Sequence, residues 1–493
     1  MEKMPKRRER AAFFSNIIPV LRSGQLRAFY RVPSQRIKNS ASRLLLCFFV
    51  TFSPKIPNFH SFFFLMKLKS LLLVGGALLT GTAATAGGFQ VNLAGQKNVG
   101  MGGVGVGLAL DHAAMFYNPG ALAMIRQNGV QVGANAALAR ISYVQSGGGT
   151  QRELQHNVVT PFNLYASFGP AEGKFRAGIA VYTPFGSKLE YASGWEGRYS
   201  LTQIDLQSIF VQPTISYALT DKISVGAGLV VLAYGAVNLQ KDIPLPSSNG
   251  SIELDGKAEH KLGYNAGIYF KPTDNVSLGF SYRSKVDAHV KSGDVSFNNI
   301  SSSFGSRFTA TKFDVTLPLP ATFSFGVGVT PNDKVTIGLD ANYVQWSKYQ
   351  TLNFAFSGNN GQGGTSGVDG QVGGANFSSS KRSYQDALTF RLGGQYKVSD
   401  ALALRAGVGY DFSPVKDGYV TPETPDADRV LLSAGASYDV GEHFGVDASF
   451  LFEDFKKRSQ TQRDLITNGT TDRVAGTYKT FIFVPGLGLH YNF

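Results

Sequence analysis

The chain has 493 residues, a formal net charge of +13 at pH 7, 57 glycines, 37 phenylalanines and one cysteine. The charge sits at one end: residues 1–65 hold 12 Lys/Arg and 2 Asp/Glu, whereas residues 87–493 are nearly neutral, with 33 basic and 32 acidic side chains. A neutral body has no electrostatic reason to bind nucleic acid, and the lone Cys47 lies in the basic leader, which leaves the body no disulfide, thiolate metal site or cysteine nucleophile.

Met66-Lys67-Leu68-Lys69 is a short positive n-region, Leu71 to Leu79 is an apolar h-region, and Ala84-Thr85-Ala86 is a small-residue cleavage site. This pattern predicts a signal peptide over residues 66–86 with Gly87 as the mature N-terminus; the bland alternative is an amphipathic helix of a soluble fold. Residues 1–65 read as an over-long gene prediction or as an extra leader, with Phe62-Phe63-Phe64-Leu65 extending the apolar segment. Beyond residue 86 no apolar run reaches about 18 residues, so a helical membrane protein is excluded.

Residues 87–127 are rich in small side chains, as in GMGGVGVGLALDHAAMFYNPGALAMI. The glycines loosely match dinucleotide fingerprints, but no βαβ unit follows. Length and position point instead to a compact segment folded inside a barrel, with a turn at Asn118-Pro119-Gly120.

From residue 128 the period is two. In NVSLGFSYRSKVDAHVK, Val276, Leu278, Phe280, Tyr282, Val286, Ala288 and Val290 share one face, opposite Ser277, Ser281, Arg283, Lys285, Asp287, His289 and Lys291. In KISVGAGLVVLAYGAVNLQ, Ile223, Val225, Leu229, Val231, Val237 and Leu239 do the same. Apolar-out, polar-in alternation of this length is the transmembrane β-barrel pattern. Short turns at residues 170–173, 220–222, 272–275, 331–334, 399–400 and 441–443 alternate with long polar stretches such as 242–259, 292–307, 357–383 and 459–476. Six short turns separate seven hairpins, which predicts an all-β membrane protein: a 14-stranded antiparallel transmembrane β-barrel over residues 128–493, plugged by the segment at 87–127. An even strand number lets the sheet close without an edge. A secreted β-sandwich is the competing fold.

VYTPFGSKLEY (Val181 to Tyr191) breaks the rule. Pro184 lacks the N–H a ladder needs, and Gly186 brings no side chain to pack. Two readings stay open: a bulge that adjusts curvature, or an inward bend at Thr183, Pro184, Phe185 and Gly186 that leaves a gap in the wall. The last residues, from Phe481 to Phe493, alternate to the terminus.

These segments, in order, resemble one family. GGFQVNLAGQKNVGMGGVGVGLALDHAAMFYNPGALAMI, VYTPFGSKLEYASGWEGRYSLTQIDLQSIFVQPTISYALTDKISVGAG, SYRSKVD, VTLPLPATFSFGV, NYVQWSKYQTL, RAGVGYDFSPV and ETPDADRVLLSAGASYDVG are similar to the FadL family of outer-membrane transporters for long-chain fatty acids and other hydrophobic compounds. The resemblance implies an N-terminal hatch ending in an Asn-Pro-Ala box, here with Gly120 in the Ala place, which questions the hatch's local rigidity. It implies that the third strand kinks inward to make a lateral exit. It implies that Phe89 lines the pocket, that Phe185 contacts the ligand, and that Lys241, Lys381 and Arg382 meet its carboxylate. A lipid-facing phenylalanine and solvated loop charges are the alternatives. The implied setting is the Gram-negative outer membrane. The implied partners are outer-membrane lipid, the barrel assembly machinery that reads the terminal strand, and a long-chain fatty acid or other hydrophobic ligand carried by a monomer without cofactor or metal. Uptake of aromatic hydrocarbons and a general diffusion porin remain rivals. An enzyme finds little support, since no G-x-S-x-G elbow or H-E-x-x-H motif is present. Mass spectrometry of the membrane form is expected to find Gly87 at its N-terminus; any peptide preceding Met66 would place residues 1–65 in the protein.

Overall fold

The computed structural model describes residues 88–493 except 156–157, 247–248 and 359–369; the proposed leader and signal peptide lie outside them. Fourteen strands follow the hatch segment. They are β1 (Gly129–Asn135 and Ala137–Gln145), β2 (Val158–Val159 and Phe162–Phe168), β3 (Phe175–Tyr182 and Gly186–Glu190), β4 (Gln203–Ala218) and β5 (Ile223–Pro244). Next come β6 (Asn249–Lys257 and Lys261–Thr273), β7 (Val276–Arg283 and Val286–Asn298), β8 (Lys312–Leu319 and Thr322–Asn332), β9 (Val335–Val344 and Thr351–Ser357) and β10 (Phe377–Lys381 and Ala387–Lys397). The last four are β11 (Leu402–Asp411), β12 (Arg429–Val440), β13 (Phe444–Phe455) and β14 (Gly476–Asn492). Each pairs antiparallel with the next, and β1 closes on β14 from Gly129↔Asn492 to Asn135↔Gly486.

The strands are longer than a membrane requires. The 22 residues of β5 span roughly 70 Å of chain, and at a tilt of about 40° they still rise about twice the height of an apolar band of about 25 Å. The extra length changes character. In the lower half the outward residues are apolar and exposed, as with Leu229, Leu262, Ile268, Phe280, Phe325 and Leu339, while the inward ones are glycine, serine or asparagine. In the upper half the inward residues are apolar and buried, among them Leu239, Ile252, Leu254, Val290, Val315 and Leu352, and the outward ones are polar, such as Asn238, Glu253, Asp255 and Lys312.

This inversion corrects two expectations. Val286, Ala288 and Val290 do not share the outer face of Phe280: β7 breaks at Ser284 and Lys285, and beyond the break Val286 is buried in the inner core while Ala288 and Val290 line the lumen. In β5, a register shift opposite Ile209 and Phe210 likewise turns Val237 and Leu239 inward. The polar stretch at 242–259 is also largely strand, and that at 292–307 is strand as far as Asn298 before a 3₁₀ turn at Ser302–Arg307, because polar outward residues pair as well as apolar ones once the wall stands clear of lipid: Asn238↔Asp255 and Glu253↔Ser296 are ladder partners.

The hatch segment fills the lower lumen. It carries helices α1 (Gln96–Gly100) and α2 (Ala114–Tyr117) and a 3₁₀ turn at Pro119–Met124. Its backbone lies directly on wall glycines: a Cβ on Gly279 would collide with the carbonyl of Val106, one on Gly393 with that of Met101, and one on Gly226 with that of Pro119. Polar side chains complete the seating. On β9, Asp340 Oδ2 accepts the N–H groups of Gly105 (2.7 Å) and Val106 (2.9 Å). Asn118 donates to the carbonyls of Val106 and Ile268, and accepts the N–H of Gly120. The carbonyl of Gly120 accepts the hydroxyls of Ser216 and Ser224. Gly120 itself sits where a Cβ would press on the carbonyl of Gly267, so the departure from Ala suits a closer approach to β6. Asp340→Ala strands two buried donors at about 1–3 kcal/mol each. The expected result is a hatch more open to protease and a higher single-channel conductance, with the barrel still folded.

Candidate ligand cavity and the broken third strand

Ladder pairing between β2 and β3 runs from Phe168↔Ala177 to Asn163↔Tyr182 and stops there. Beyond the break, Gly186–Glu190 pairs with β4, while Val158–Val159 pairs with β1. The next backbone bond from β3 toward this side is Gln155 N–H to the Glu190 carbonyl, at 3.0 Å. On the other side the partners pass from Tyr182↔Phe210 to Gly186↔Gln207, so β3 carries one residue more than β4 across the interruption.

The freed backbone groups are taken up from inside. The N–H of Val91 donates to the Pro184 carbonyl at 2.8 Å, and the N–H of Gly186 donates to the Phe89 carbonyl at 3.2 Å. The hydroxyl of Ser208 on β4 accepts from the Phe185 N–H (3.3 Å) and donates to the Phe185 carbonyl (2.6 Å). Residues 89–91 thus act as a short partner strand for the interruption. Phe185 is buried beside Phe89, ring centroids 6.0 Å apart, and Phe89 also meets Trp346 at 4.9 Å and Tyr349 at 6.1 Å.

Two cavities meet at these rings, since Phe89 and Phe185 line both. The larger, about 450 Å³, extends from Asp426, Arg429 and Glu453 on the lumenal side to Val158, Phe162 and Lys188 beside the unpaired stretch. The smaller, about 90 Å³, is walled by inward apolar residues of the upper barrel, with Arg382 and Glu423 as its charged members. Of the residues singled out from sequence, Phe89, Phe185, Thr183 and Gly186 come together on the larger cavity. Pro184 contributes its carbonyl to the N-terminal segment. Arg382 is buried and paired with Glu423 at 3.4 Å. Lys381 is exposed, 5.6 Å from the Tyr419 ring centroid, and Lys241 pairs with Ile252; neither lines a cavity described here.

Sequence reasoning missed the wall opposite the interruption. Arg429 bonds Asp411 (2.9 Å) and Glu453 (3.2 Å), and Asp411 also pairs with Arg391. In the loop before β12, Asp426 accepts the N–H of Gly88 at 3.2 Å and the hydroxyl of Ser413 at 2.6 Å. Burial pushes the Asp426 carboxyl above its ordinary range. Burial also works to raise Glu423, but the Arg382 charge and hydrogen bonds outweigh it and hold the group low. The charged residues of this wall come from four strands, β10 to β13, and the loop before β12, and no local spacing announces them.

A closed antiparallel barrel with an apolar outer belt is an outer-membrane protein, and here the lower lumen is filled by the segment that precedes the first strand. The family described as outer membrane protein transport protein (OMPP1/FadL/TodX) matches residues 77–493, and the chain belongs to it. The long-chain fatty acid transport protein of Escherichia coli O6:H1 is 24% identical over 414 residues, covering 77% of this chain and 89% of that protein. The crystal structure of a Pseudomonas aeruginosa FadL homologue superposes with a TM-score of 0.69 at 22% identity, covering 83% of this chain and 100% of the other. That of the Pseudomonas putida toluene transporter TodX gives 0.62 at 18% identity, covering 81% and 98%.

Ser208→Ala removes the hydroxyl that holds Phe185 at both backbone atoms. At about 1 kcal/mol for the lost bonding, amide exchange at Phe185 and Gly186 is expected to quicken about fivefold with the barrel intact; unchanged exchange would show that the N-terminal segment alone fixes the interruption.

Proposed function

We propose that the protein carries long-chain fatty acids or similar hydrophobic compounds passively across the outer membrane. Ligand enters the apolar upper lumen, passes Phe89 and Phe185, and leaves sideways through the unpaired stretch between β2 and β3. The observation that carries this reading is the larger cavity, whose lining joins the lumenal Asp426 and Arg429 to Val158 and Phe162, both exposed on the barrel wall. A buried methylene is worth about 0.8 kcal/mol, so a water-filled exit would cost a long chain many kcal/mol that a sideways step into lipid avoids. The route needs no energy input beyond a ligand gradient, with movement of residues 88–91 connecting cavity and wall. Phe89 and Phe185 would contact the ligand. Arg382 would be the nearest of the three basic candidates, with Lys241 and Lys381 further out.

Aromatic hydrocarbons are the second reading, supported by the apolar wall of the smaller cavity and by the fold shared with a toluene transporter. A general porin is disfavoured by the hatch, which occupies the lower lumen. The test is uptake of labelled oleate and toluene by cells lacking their own transporters. The native chain is compared with one in which Thr183–Gly186 is replaced by a regular alternating strand sequence. Uptake is expected to fall at least tenfold in the straightened, correctly folded barrel. Equal uptake by both would reduce the interruption to curvature; uptake of toluene alone would select the hydrocarbon reading.

A further inference from the structure

A third cavity, about 70 Å³, lies between the hatch and the wall beside the broken strand. It shares Gln90, Asn92 and Phe185 with the larger cavity, but the rest of its lining is mostly polar, as with Ser324 and Thr389. Two guanidiniums line it, Arg283 and Arg391, and no carboxylate does. The two cations differ. Arg391 is paired with Asp411. Arg283 shares the inward face of Ser277 and Ser281 on β7, and among the described residues it reaches only neutral acceptors. Its Nη1 donates to the Tyr182 hydroxyl (2.5 Å) and to Gln212 Oε1 (3.1 Å), and its Nη2 donates to the Phe116 carbonyl (2.9 Å). A guanidinium carries five N–H donors, so one at Nε and one at Nη2 remain without a protein acceptor. Arg382 and Arg473 also have unpartnered nitrogens, but theirs are sealed in the wall; Arg283 is only half-buried and lines the cavity.

We propose that this third cavity is an anion site, in which Arg283 receives the carboxylate of an amphiphilic ligand whose chain lies in the larger cavity. This rests on the larger cavity being the ligand route. A cation drawn out of bulk water without a counter-charge is costly, and an incoming anion offsets that cost. The space admits a carboxylate or a few waters, and the bonds that Arg283 has free are charge-assisted, among the stronger kinds. The shared lining at Phe185 leads from this site into the larger cavity, so a chain anchored here runs toward Val158 and Phe162 at the wall. A small free anion offers Arg283 the same chemistry without a chain.

The experiment uses the full barrel in nanodiscs and measures binding of decanoate, decanol and acetate at mildly alkaline pH, with protein-free discs subtracted. Decanoate is expected to bind at least tenfold more tightly than either of the others, since decanol lacks the charge and acetate lacks the chain. R283Q is expected to weaken decanoate about tenfold and to leave decanol within twofold. R283K, which keeps the charge, is expected to recover most of that loss. Unchanged decanoate binding in folded R283Q overturns the inference, as does an equal loss of decanol, which would make Arg283 a tie to the hatch alone, or no recovery in R283K. Acetate binding as tightly as decanoate overturns it too, by making the site one for free anions. Each of these leaves the route standing. If neither decanoate nor decanol binds above the empty discs, the route itself falls and the inference with it.

Discussion

The structure depends on one constraint: within hydrocarbon, every backbone N–H and C=O needs a partner from the protein. Closure of β1 on β14 meets it for the barrel as a whole. The interruption of β3 is the local exception, and it is tolerable because its freed groups turn inward to Phe89, Val91 and Ser208. In hydrogen-bond terms, residues 89–91 and 184–186 are one element. Displacing the first strands the second, so the state of the N-terminal segment and the state of the wall are linked energetically whatever passes between them.

The second organising fact is the inversion of polarity along the barrel. Where lipid surrounds it, apolar side chains point out, and the space within is taken by a hatch resting on glycines and bonded by Asp340, Asn118 and Ser277. Where water surrounds the upper half, apolar side chains point in. A lumen lined this way is an apolar compartment held open above the membrane. The strand breaks at Ser284-Lys285 and the register shift in β5 let the alternation change sides without ending the ladder.

Period-two alternation and the asymmetry of turns and loops are local signals, so strand number, closure and the membrane setting were legible. The inversion was not. Val276 to Val290 keeps even spacing through the break, and even spacing reads as one face. Pro184 marked the interruption, but nothing near it says that its carbonyl is taken by Val91, more than ninety positions earlier. Position along the matched strands singles out Lys241, Lys381 and Arg382 as headgroup contacts; the fold sets Arg382 against Glu423 and leaves Lys241 and Lys381 away from both cavities. The wall of Arg429, Glu453, Asp426 and Glu423 is assembled by closure of distant strands and is visible only in three dimensions.

That wall bears on how a passive carrier of apolar ligands can discriminate. On the proposed route the ligand's tail moves from an apolar cavity to an apolar bilayer, so the hydrophobic term is nearly equal on both sides and selects little beyond size. Discrimination then rests on the polar end. Arg391, Arg429, Asp411 and Glu453 largely satisfy one another, as buried charges must to offset desolvation. Asp426, deep in the wall, accepts the hydroxyl of Ser413, and Glu423 is held by the buried Arg382. A headgroup on that route meets a wall whose charges are already paired, so it gains little there that it would lose on passing into the bilayer interior. That interaction must stay modest, since a ligand held too well at the wall would not leave through it.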